Sequence, residues 1–487
     1  MGFTALDYGV LIAYLAATAL FGMLLGRGQK DIGDYFLGGR RMPWWAICFS
    51  IVATETSTLT FIGAPAIAYT GNMAFLQLAI GYILGKILVS LFLIPAYFKG
   101  EIQTAYELLH FRFGPKIQSF SAFLFQVTRA LADGVRLFAT GLVLAVVTQI
   151  SDIWTIVIIA VITILYTLYG GMRAVVWNDV AQLMIYIGGA FLAFYAILDK
   201  LPGGWQDVTA RAAPLNKFNI FELGFDLSSA YTLWAGLIGG AFLTFATHGT
   251  DQMMVQRYLA CGSRRGSQLA LIFSGIIVLL QFLLFLVIGV MLYAFYQEFP
   301  LGRELDQADR IFPIFIVEQL APGISGLVIA AIFAAAMSTL SSSLNSLASS
   351  SVNDFYKRYF RKAAPDLHYL RASRIFTLSW GVVLAGIAAL ARNWGSVLEV
   401  GLTITSVTMG SVLGIFLLGV WSPRTRQAAG LAAMFAGLIA MLALIQTPAV
   451  AWTWYVLTGT AVTFLVGVSL SALSFKFQVP SSKSGRK

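Results

Sequence analysis

The sequence predicts an all-α polytopic membrane protein with about thirteen transmembrane helices, because apolar runs of about 20 residues recur along it. Of its 487 residues, 58% are hydrophobic and only 11% are charged. A soluble globular domain does not have this composition. The runs are longer than strands and follow a helical period, which excludes a β-barrel. Only α-helices then satisfy the backbone groups in lipid.

The predicted spans are joined by short loops, so we expect one membrane unit without a separate soluble domain. The first span has no basic segment before it and no small-residue cleavage site, which favours a retained helix over a signal peptide. The spans lie near residues 5–26, 43–70, 73–97, 119–150, 152–170, 177–199, 230–259, 268–296, 323–352, 370–392, 395–421, 427–446 and 450–475.

The placement of the net charge of +10 indicates a membrane orientation and not a nucleic-acid surface. Basic residues concentrate in alternate loops, as at Arg40 and Arg41 or at Arg264 and Arg265, whereas the loop with Glu298 and Glu304 is acidic. The positive-inside rule then predicts a multi-pass protein of the inner or plasma membrane, with its N-terminus outside and its C-terminus in the cytoplasm.

The motif content argues against an enzyme and against ATP-driven transport. The three histidines, His110, His248 and His368, are far apart in sequence without metal-ligand spacing, and no nucleophile motif accompanies them. The sequence contains no Gly-rich phosphate loop. We expect a small-molecule solute, ions and the bilayer as partners, with no nucleic acid and no protein partner.

Two predicted spans carry signs of internal breakage. The second reads "SIVATETSTLTFIGAPA", and the seventh reads "LIGGAFLTFATHGTDQ". Their ordinal numbers differ by five, as they would if two five-helix repeats of opposite topology each began with a discontinuous helix. The alternative is that the glycines in these spans serve only close helix packing.

Charged residues near the bilayer centre cost about 2.5 to 3.5 kcal/mol each, so each should be paired, face water or serve function. The sequence places six there: Glu55, Lys86, Arg129, Asp133, Arg136 and Asp179.

A stripe of hydroxyl groups follows one face of the ninth predicted span, within "AAAMSTLSSSLNSLASSS". A single serine there would serve close helix contact or bond the carbonyl four residues earlier. A cluster joined by a carboxylate suits a hard cation such as Na+. Asp179 is the expected carboxylate, although an interfacial position without a partner would fit its neighbours equally well. The stripe consists of Ser338, Thr339, Ser341, Ser342 and Asn345.

Five stretches resemble, in order, the signatures of the sodium:solute symporter family. They are "DYFLGGR", "TAYELLHFRFG", "LYTLYGGMRAVVWNDVAQ", "GTDQMMVQRYLA" and "AAIFAAAMSTLSSSLNS". The resemblance implies a LeuT-like fold of two inverted five-helix repeats, with discontinuous second and seventh spans. It divides the chain into an extra N-terminal helix and inner loop at 1–42, the first repeat with its outer loop at 43–228, the second repeat at 229–421, and two C-terminal helices with a short cytoplasmic tail at 422–487.

The resemblance also implies two sodium sites. The main site would use carbonyl oxygens of the broken second span and oxygens of the ninth span; its residues are Ala53, Thr56, Ala335, Ser338 and Thr339. Some members have a second site, whose residues map to Asp179, Ser338, Ser341 and Ser342. We therefore expect two Na+ per transport cycle, with a protonated Asp179 in place of an ion as the alternative.

The sialic acid transporters of the family resemble this chain most in the ninth span and around Arg129. In them an arginine at the position of Arg129 and hydroxyls matching Ser57 and Thr60 approach the substrate carboxylate, with an aromatic residue matching Phe75 nearby. This chain departs from them at two positions. Glu55 replaces a threonine, and a glutamine of the site is replaced by alanine, although Gln77 is close in sequence.

The role of Glu55 decides which solute the resemblance implies. If Glu55 pairs with Arg129, the pocket prefers a neutral or zwitterionic solute; if Glu55 faces a sodium ion, Arg129 is free for an anion. We expect import of a sialic acid or another carboxylate-bearing sugar by alternating access. The alternatives are a neutral sugar, an amino acid, a monocarboxylate or a vitamin. A sodium-responsive sensor and an H+-coupled transporter are further alternatives.

Overall fold

The computed structural model describes residues 3–26, 29–148, 150–302, 304–305, 307–391, 397–447 and 449–476. Across these ranges the regular structure is helical throughout. The helices are α1 Ala5–Leu25, α2 Ile32–Leu37, α3 Trp44–Glu55, α4 Thr58–Thr70, α5 Leu76–Tyr97, α6 Ala105–Phe113, α7 Pro115–Thr148, α8 Asp152–Lys200, α9 Trp205–Ala212, α10 Gly240–Gly249, α11 Gln252–Ala260, α12 Arg264–Glu298, α13 Ile311–Gln319, α14 Ile324–Phe360, α15 Asp366–Leu390, α16 Val397–Trp421, α17 Gln427–Ile445 and α18 Tyr455–Lys476.

The protein is a multi-pass membrane protein. Within the described ranges, nine helices are long and apolar enough to cross a membrane, and the bent pair of α3 and α4 is a tenth candidate. The prediction of an all-helical polytopic fold is confirmed. The number thirteen stays a prediction, and the end of the expected cytoplasmic tail, after residue 476, lies outside the described residues.

A single glycine divides the longest helix, α8. Gly171 has a φ of 54° and a ψ of −154° inside its 49 residues. A Cβ atom there would lie 2.5 Å from the carbonyl oxygen of Tyr35, so a larger residue would be both strained and crowded. Because 49 residues of helix far exceed the about 20 that cross a bilayer, the break at Gly171 divides α8 into two segments, each about as long as a span or longer.

The hydroxyl-rich helix α14 lies at the centre of the molecule. It is the most buried of the candidate spans and packs against α8, α1, α7 and α15, with α3 crossing it as well. The last three helices, α16 to α18, pack mainly on one another. The serines of α14 therefore face other helices and not lipid.

Candidate functional site

The second predicted span is bent between α3 and α4. Helix α3 ends at Glu55, α4 begins at Thr58, and their axes meet at an angle of 62°. Thr56, between them, has an extended backbone with φ −87° and ψ 99°. Since the last carbonyls of a helix lack the N–H partners that a further turn would supply, the end of α3 presents backbone oxygens to the helices packed against it. Ala53 and Thr56, the expected main-site residues of this span, lie at that end.

The hydroxyl stripe of α14 packs directly against this helix end. Thr339 Oγ1 lies 3.3 Å from the carbonyl oxygen of Thr54 and 3.3 Å from that of Ala335. The side chains of Ser338, Ser341 and Ser342 are buried as well. The structure therefore brings together the residues expected to form the main sodium site, although their sequence positions are more than 200 apart.

Asp179, on α8, lies against the same stripe. Ser338 Oγ donates to Asp179 Oδ1 at 2.6 Å, and Ser50 Oγ donates to Oδ2 at 2.5 Å. Arg257 Nη2 forms an ion pair with Oδ2 at 2.9 Å. Asp179 is fully buried, so it is not an interfacial residue without a partner.

The remaining residues of the expected second site differ in their contacts. Ser342 Oγ lies 3.0 Å from Thr54 Oγ1 and donates to the carbonyl of Ser338 at 2.8 Å. Ser341 Oγ donates to that same carbonyl at 3.1 Å. Both hydroxyls thus satisfy the backbone of their own helix, and Ser342 also faces α3.

A cavity of about 230 Å³ lies beside the bend between α3 and α4. This volume is somewhat below the range of about 300 to 1,000 Å³ typical of small-molecule sites. Five residues expected to bind substrate line it, namely Glu55, Ser57, Thr60, Phe75 and Arg129. Phe75 packs against Tyr231 and Phe282 with tilted rings, whose centroids are 5.5 and 5.0 Å away, so aromatic rings form one wall of the cavity.

The sixth expected residue, Gln77, is buried behind this wall and does not line the cavity. Its amide donates to the carbonyls of Ala74 and Tyr231 and accepts from the backbone of Glu222. Gln77 therefore holds the segment before α10 against the start of α5.

Within the described residues, Glu55 forms its ion pair with Lys86 and not with Arg129. Lys86 Nζ donates to Glu55 Oε2 at 2.7 Å and to Ser274 Oγ at 3.1 Å. His248 Nε2 lies 3.3 Å from the same carboxylate oxygen. The expected pair of Glu55 with Arg129 is replaced by a pair with Lys86, because α5 brings a buried cation directly to the end of α3. That Glu55 faces a sodium ion stays a prediction.

Arg129, on α7, is also paired. Its guanidinium contacts Asp251 and lies 3.5 Å from Asp133, which accepts a further bond from Arg136 at 2.8 Å. Asp251 begins α11 and accepts from the backbone N–H of Met253 at 2.9 Å. The link therefore ties α7 to the gap between α10 and α11, in the seventh predicted span.

Four residues of the site were not assigned a role from the sequence: Lys86, His248, Asp251 and Arg257. Each is a charged or titratable residue in a predicted span, and the insertion cost of a charge was the signal that could have found them. Lys86 is one of the six charges that the sequence places near the bilayer centre. The identity of each partner depends on which helices pack together, and the sequence alone does not predict that packing.

Comparisons with known proteins agree with this arrangement. The sodium:solute symporter family matches residues 35–437. The sodium/sialic acid symporter SiaT of Proteus mirabilis (strain HI4320) is 32% identical over 453 residues, which cover 91% of this chain and 90% of the relative. The resemblance stated from the sequence motifs is confirmed.

Two solved structures are similar in three dimensions. One is the substrate-bound outward-open state of a Na+-coupled sialic acid symporter, with a TM-score of 0.89, 30% identity, and coverage of 97% of this chain and 98% of that one. The nucleobase-cation-symport transporter Mhp1 in a closed conformation has a TM-score of 0.58 at 13% identity, with coverage of 91% and 95%, and shows the fold alone. The chain therefore belongs to the sodium:solute symporter family and is a Na+-coupled solute symporter with a LeuT-like fold.

Proposed function

We propose that this protein imports a small polar organic solute together with Na+ by alternating access. One observation carries the proposal: the buried hydroxyls of α14 lie against the backbone oxygens at the end of α3, beside a cavity. Helix ends at a midplane break are typical ion and substrate sites in transporters. Oxygen atoms from two helices that pack at such a break can replace the hydration shell of an alkali cation.

The main sodium site would use the carbonyl oxygens of Ala53, Thr56 and Ala335 with the hydroxyls of Ser338 and Thr339. Thr339 supports this assignment, because its hydroxyl is within 3.3 Å of backbone oxygens on both α3 and α14. A second ion would use Asp179 with Ser338, Ser341 and Ser342. This second site has a resident cation beside it, Arg257.

The proposed solute is a sialic acid or another carboxylate-bearing sugar. The relatives named for sialic acid transport, and the position of Arg129 in the cavity wall beside Ser57 and Thr60, favour it. Glu55 and Phe75 line the same cavity. Gln77 would act through the outer wall and not by contact with the solute.

A neutral or zwitterionic solute is the second candidate, and the charge pairing favours it. Glu55 is paired with Lys86, and Arg129 is paired with Asp251. A cavity whose charged groups are already paired binds an anion with less favourable electrostatic energy than a cavity with an unpaired arginine would. Neutral sugars and amino acids are therefore the competitors to test beside sugar acids and monocarboxylates.

The orientation and repeat boundaries follow from the same proposal. The N-terminus would lie outside the cell and the C-terminus in the cytoplasm, with inverted repeats at 43–228 and 229–421. The bend at Thr56 and the gap between α10 and α11 would then be equivalent positions in the two repeats. A cysteine introduced in the inner loop at Arg264 should react with an impermeant thiol reagent only in permeabilised cells.

A thermal-shift screen of the purified protein tests the function. Sugars, sugar acids, amino acids and monocarboxylates would each be added in NaCl and in choline chloride. A solute of this transporter should raise the melting temperature in NaCl more than in choline, since at a given concentration a ligand that binds more tightly stabilises the folded state more. Uptake of that solute into proteoliposomes should require an inward Na+ gradient; equal uptake with choline outside would refute Na+ coupling.

A further inference from the structure

The guanidinium group of Arg257 lies among the residues expected to form the second sodium site. Arg257 is on α11 and only 1% of its surface is exposed. Its Nη2 atom bonds Asp179 Oδ2 at 2.9 Å and also contacts the hydroxyls of Ser342 and Thr54. The site therefore already holds a positive charge that the protein itself supplies.

The other nitrogens of Arg257 are held as firmly. Nε donates to Ser50 Oγ at 2.8 Å, and Nη1 donates to the carbonyl of Met253 at 2.7 Å. Its partners on α3, α8 and α14 fix the side chain from three directions. A guanidinium with this many hydrogen bonds is positioned as part of the site, since each of its three nitrogens donates to a buried partner.

The charges around Asp179 compensate only one cation. Of the acidic side chains that the structure describes, Asp179 alone forms an ion pair with Arg257. A sodium ion bound to the same carboxylate would lie beside the guanidinium in a water-poor environment, where like charges repel strongly. Asp251, the N-cap residue of α11, is itself paired with Arg129.

We propose that the Arg257 guanidinium and a sodium ion are mutually exclusive occupants of the Asp179 site. With Arg257 in place, the protein binds one Na+, at the main site, and Asp179 accepts a second ion only when the guanidinium moves away. Arg257 is thus a determinant of how many ions the transporter binds. This inference rests on the proposed sodium sites but is measured separately from transport.

The test is the Na+ stoichiometry of the purified full-length protein, measured by equilibrium binding of radioactive 22Na+. At Na+ concentrations that saturate the main site, the wild type should bind one ion per chain. Arg257→Gln, which keeps a hydrogen-bonding group without charge, should bind two. The added ion should be lost again in Arg257→Gln combined with Asp179→Asn. Arg265→Gln, an exposed arginine at the start of α12, is the matched control and should bind one.

Two results would overturn the inference. One is a folded Arg257→Gln protein that binds no more Na+ than the wild type. The other result comes from the wild type and needs no Arg257 variant. It is that the wild type binds two sodium ions and that Asp179→Asn reduces the number to one. Thr339→Ala separates this question from the proposed function, because it removes a ligand of the main site alone. If Thr339→Ala leaves Na+ binding intact, the main site is wrong, whereas the gain of an ion in Arg257→Gln is still decided independently.

Discussion

Lys86 Nζ lies 2.7 Å from Glu55 Oε2, and the lysine side chain is completely buried. The pair joins the middle of α5 to the last residue of α3, next to the cavity. Ser274 on α12 and His248 on α10 complete the cluster. A charge buried to this degree needs its partner, since an unpaired ion in the protein interior is costly.

We expect Lys86→Met to destabilise the protein by about 3 to 5 kcal/mol, because it leaves the carboxylate of Glu55 without its cation. Thermal unfolding in detergent would measure the loss. Lys86→Met combined with Glu55→Gln should recover much of it, since the second change removes the uncompensated charge. Lys99→Met, at an exposed lysine, is the control. A double variant no more stable than Lys86→Met would show that the charge pair is not the cause.

Thr339→Ala should raise the Na+ concentration for half-maximal uptake at least about tenfold, which corresponds to about 1.4 kcal/mol. The change removes a hydroxyl that lies between the carbonyls of Thr54 and Ala335. Thr339→Ser keeps that oxygen and should retain most of the affinity. Ser346→Ala is a matched control. Ser346 is buried on the same helix, and in the described structure its hydroxyl donates to the carbonyl of Ser343 on that helix and to no other helix. Equal Na+ dependence in Thr339→Ala and Ser346→Ala would remove Thr339 from the site.

Arg129→Gln should reduce the uptake of anionic solutes more than that of neutral ones, by about tenfold in their ratio if one charge-assisted contact is lost. The ratio is measured within one preparation, so differences in folding or expression cancel. Arg211→Gln, in a half-buried ion pair with Glu298 that does not line the cavity, should leave the ratio unchanged. A ratio that stays constant in Arg129→Gln would argue that Arg129 serves only to hold Asp251.

Glu107, on α6 outside the candidate spans, should make stability fall as the pH rises. Burial, with a contribution from Asp354, raises the pKa of Glu107 to about 7. The folded protein therefore binds this proton more tightly than the unfolded chain, and the stabilisation present below pH 4.5 is lost as the pH rises through 7. Glu107→Gln should thus lose less thermal stability than the wild type between pH 5 and pH 8.

The exposed Glu101 provides the comparison for this measurement. Glu101→Gln should follow the wild-type pH dependence, because an exposed carboxyl group has little effect on it. If Glu107→Gln and Glu101→Gln have the same pH dependence as the wild type, Glu107 is not the group responsible.

Much of the site could be predicted from the pattern of α14 alone. Hydroxyls at helical spacing in an apolar run predict a polar face, and burial of a polar face requires a partner helix. The glycines and hydroxyls of the second span indicated where that partner would be interrupted. The structure places Thr339 against that interruption, in agreement with the pattern.

Partner identity could not be predicted in the same way. The cost of burying a charge indicates that Glu55, Asp179 and Arg129 need counter-charges, but not which ones. Lys86 is 31 residues from Glu55 in sequence, and Arg257 is 78 residues from Asp179. No local rule connects residues at such separations.

The sequence by itself thus determined the membrane class, the family and the polar face of α14, because composition and helical periodicity are properties of short segments. Only the tertiary structure decided that Glu55 pairs with Lys86 and that Arg257 pairs with Asp179. These contacts depend on the crossing of helices distant in sequence. The physical reason is that the free energy of a buried charge depends on distances of a few ångströms, which only the packing of the helices sets.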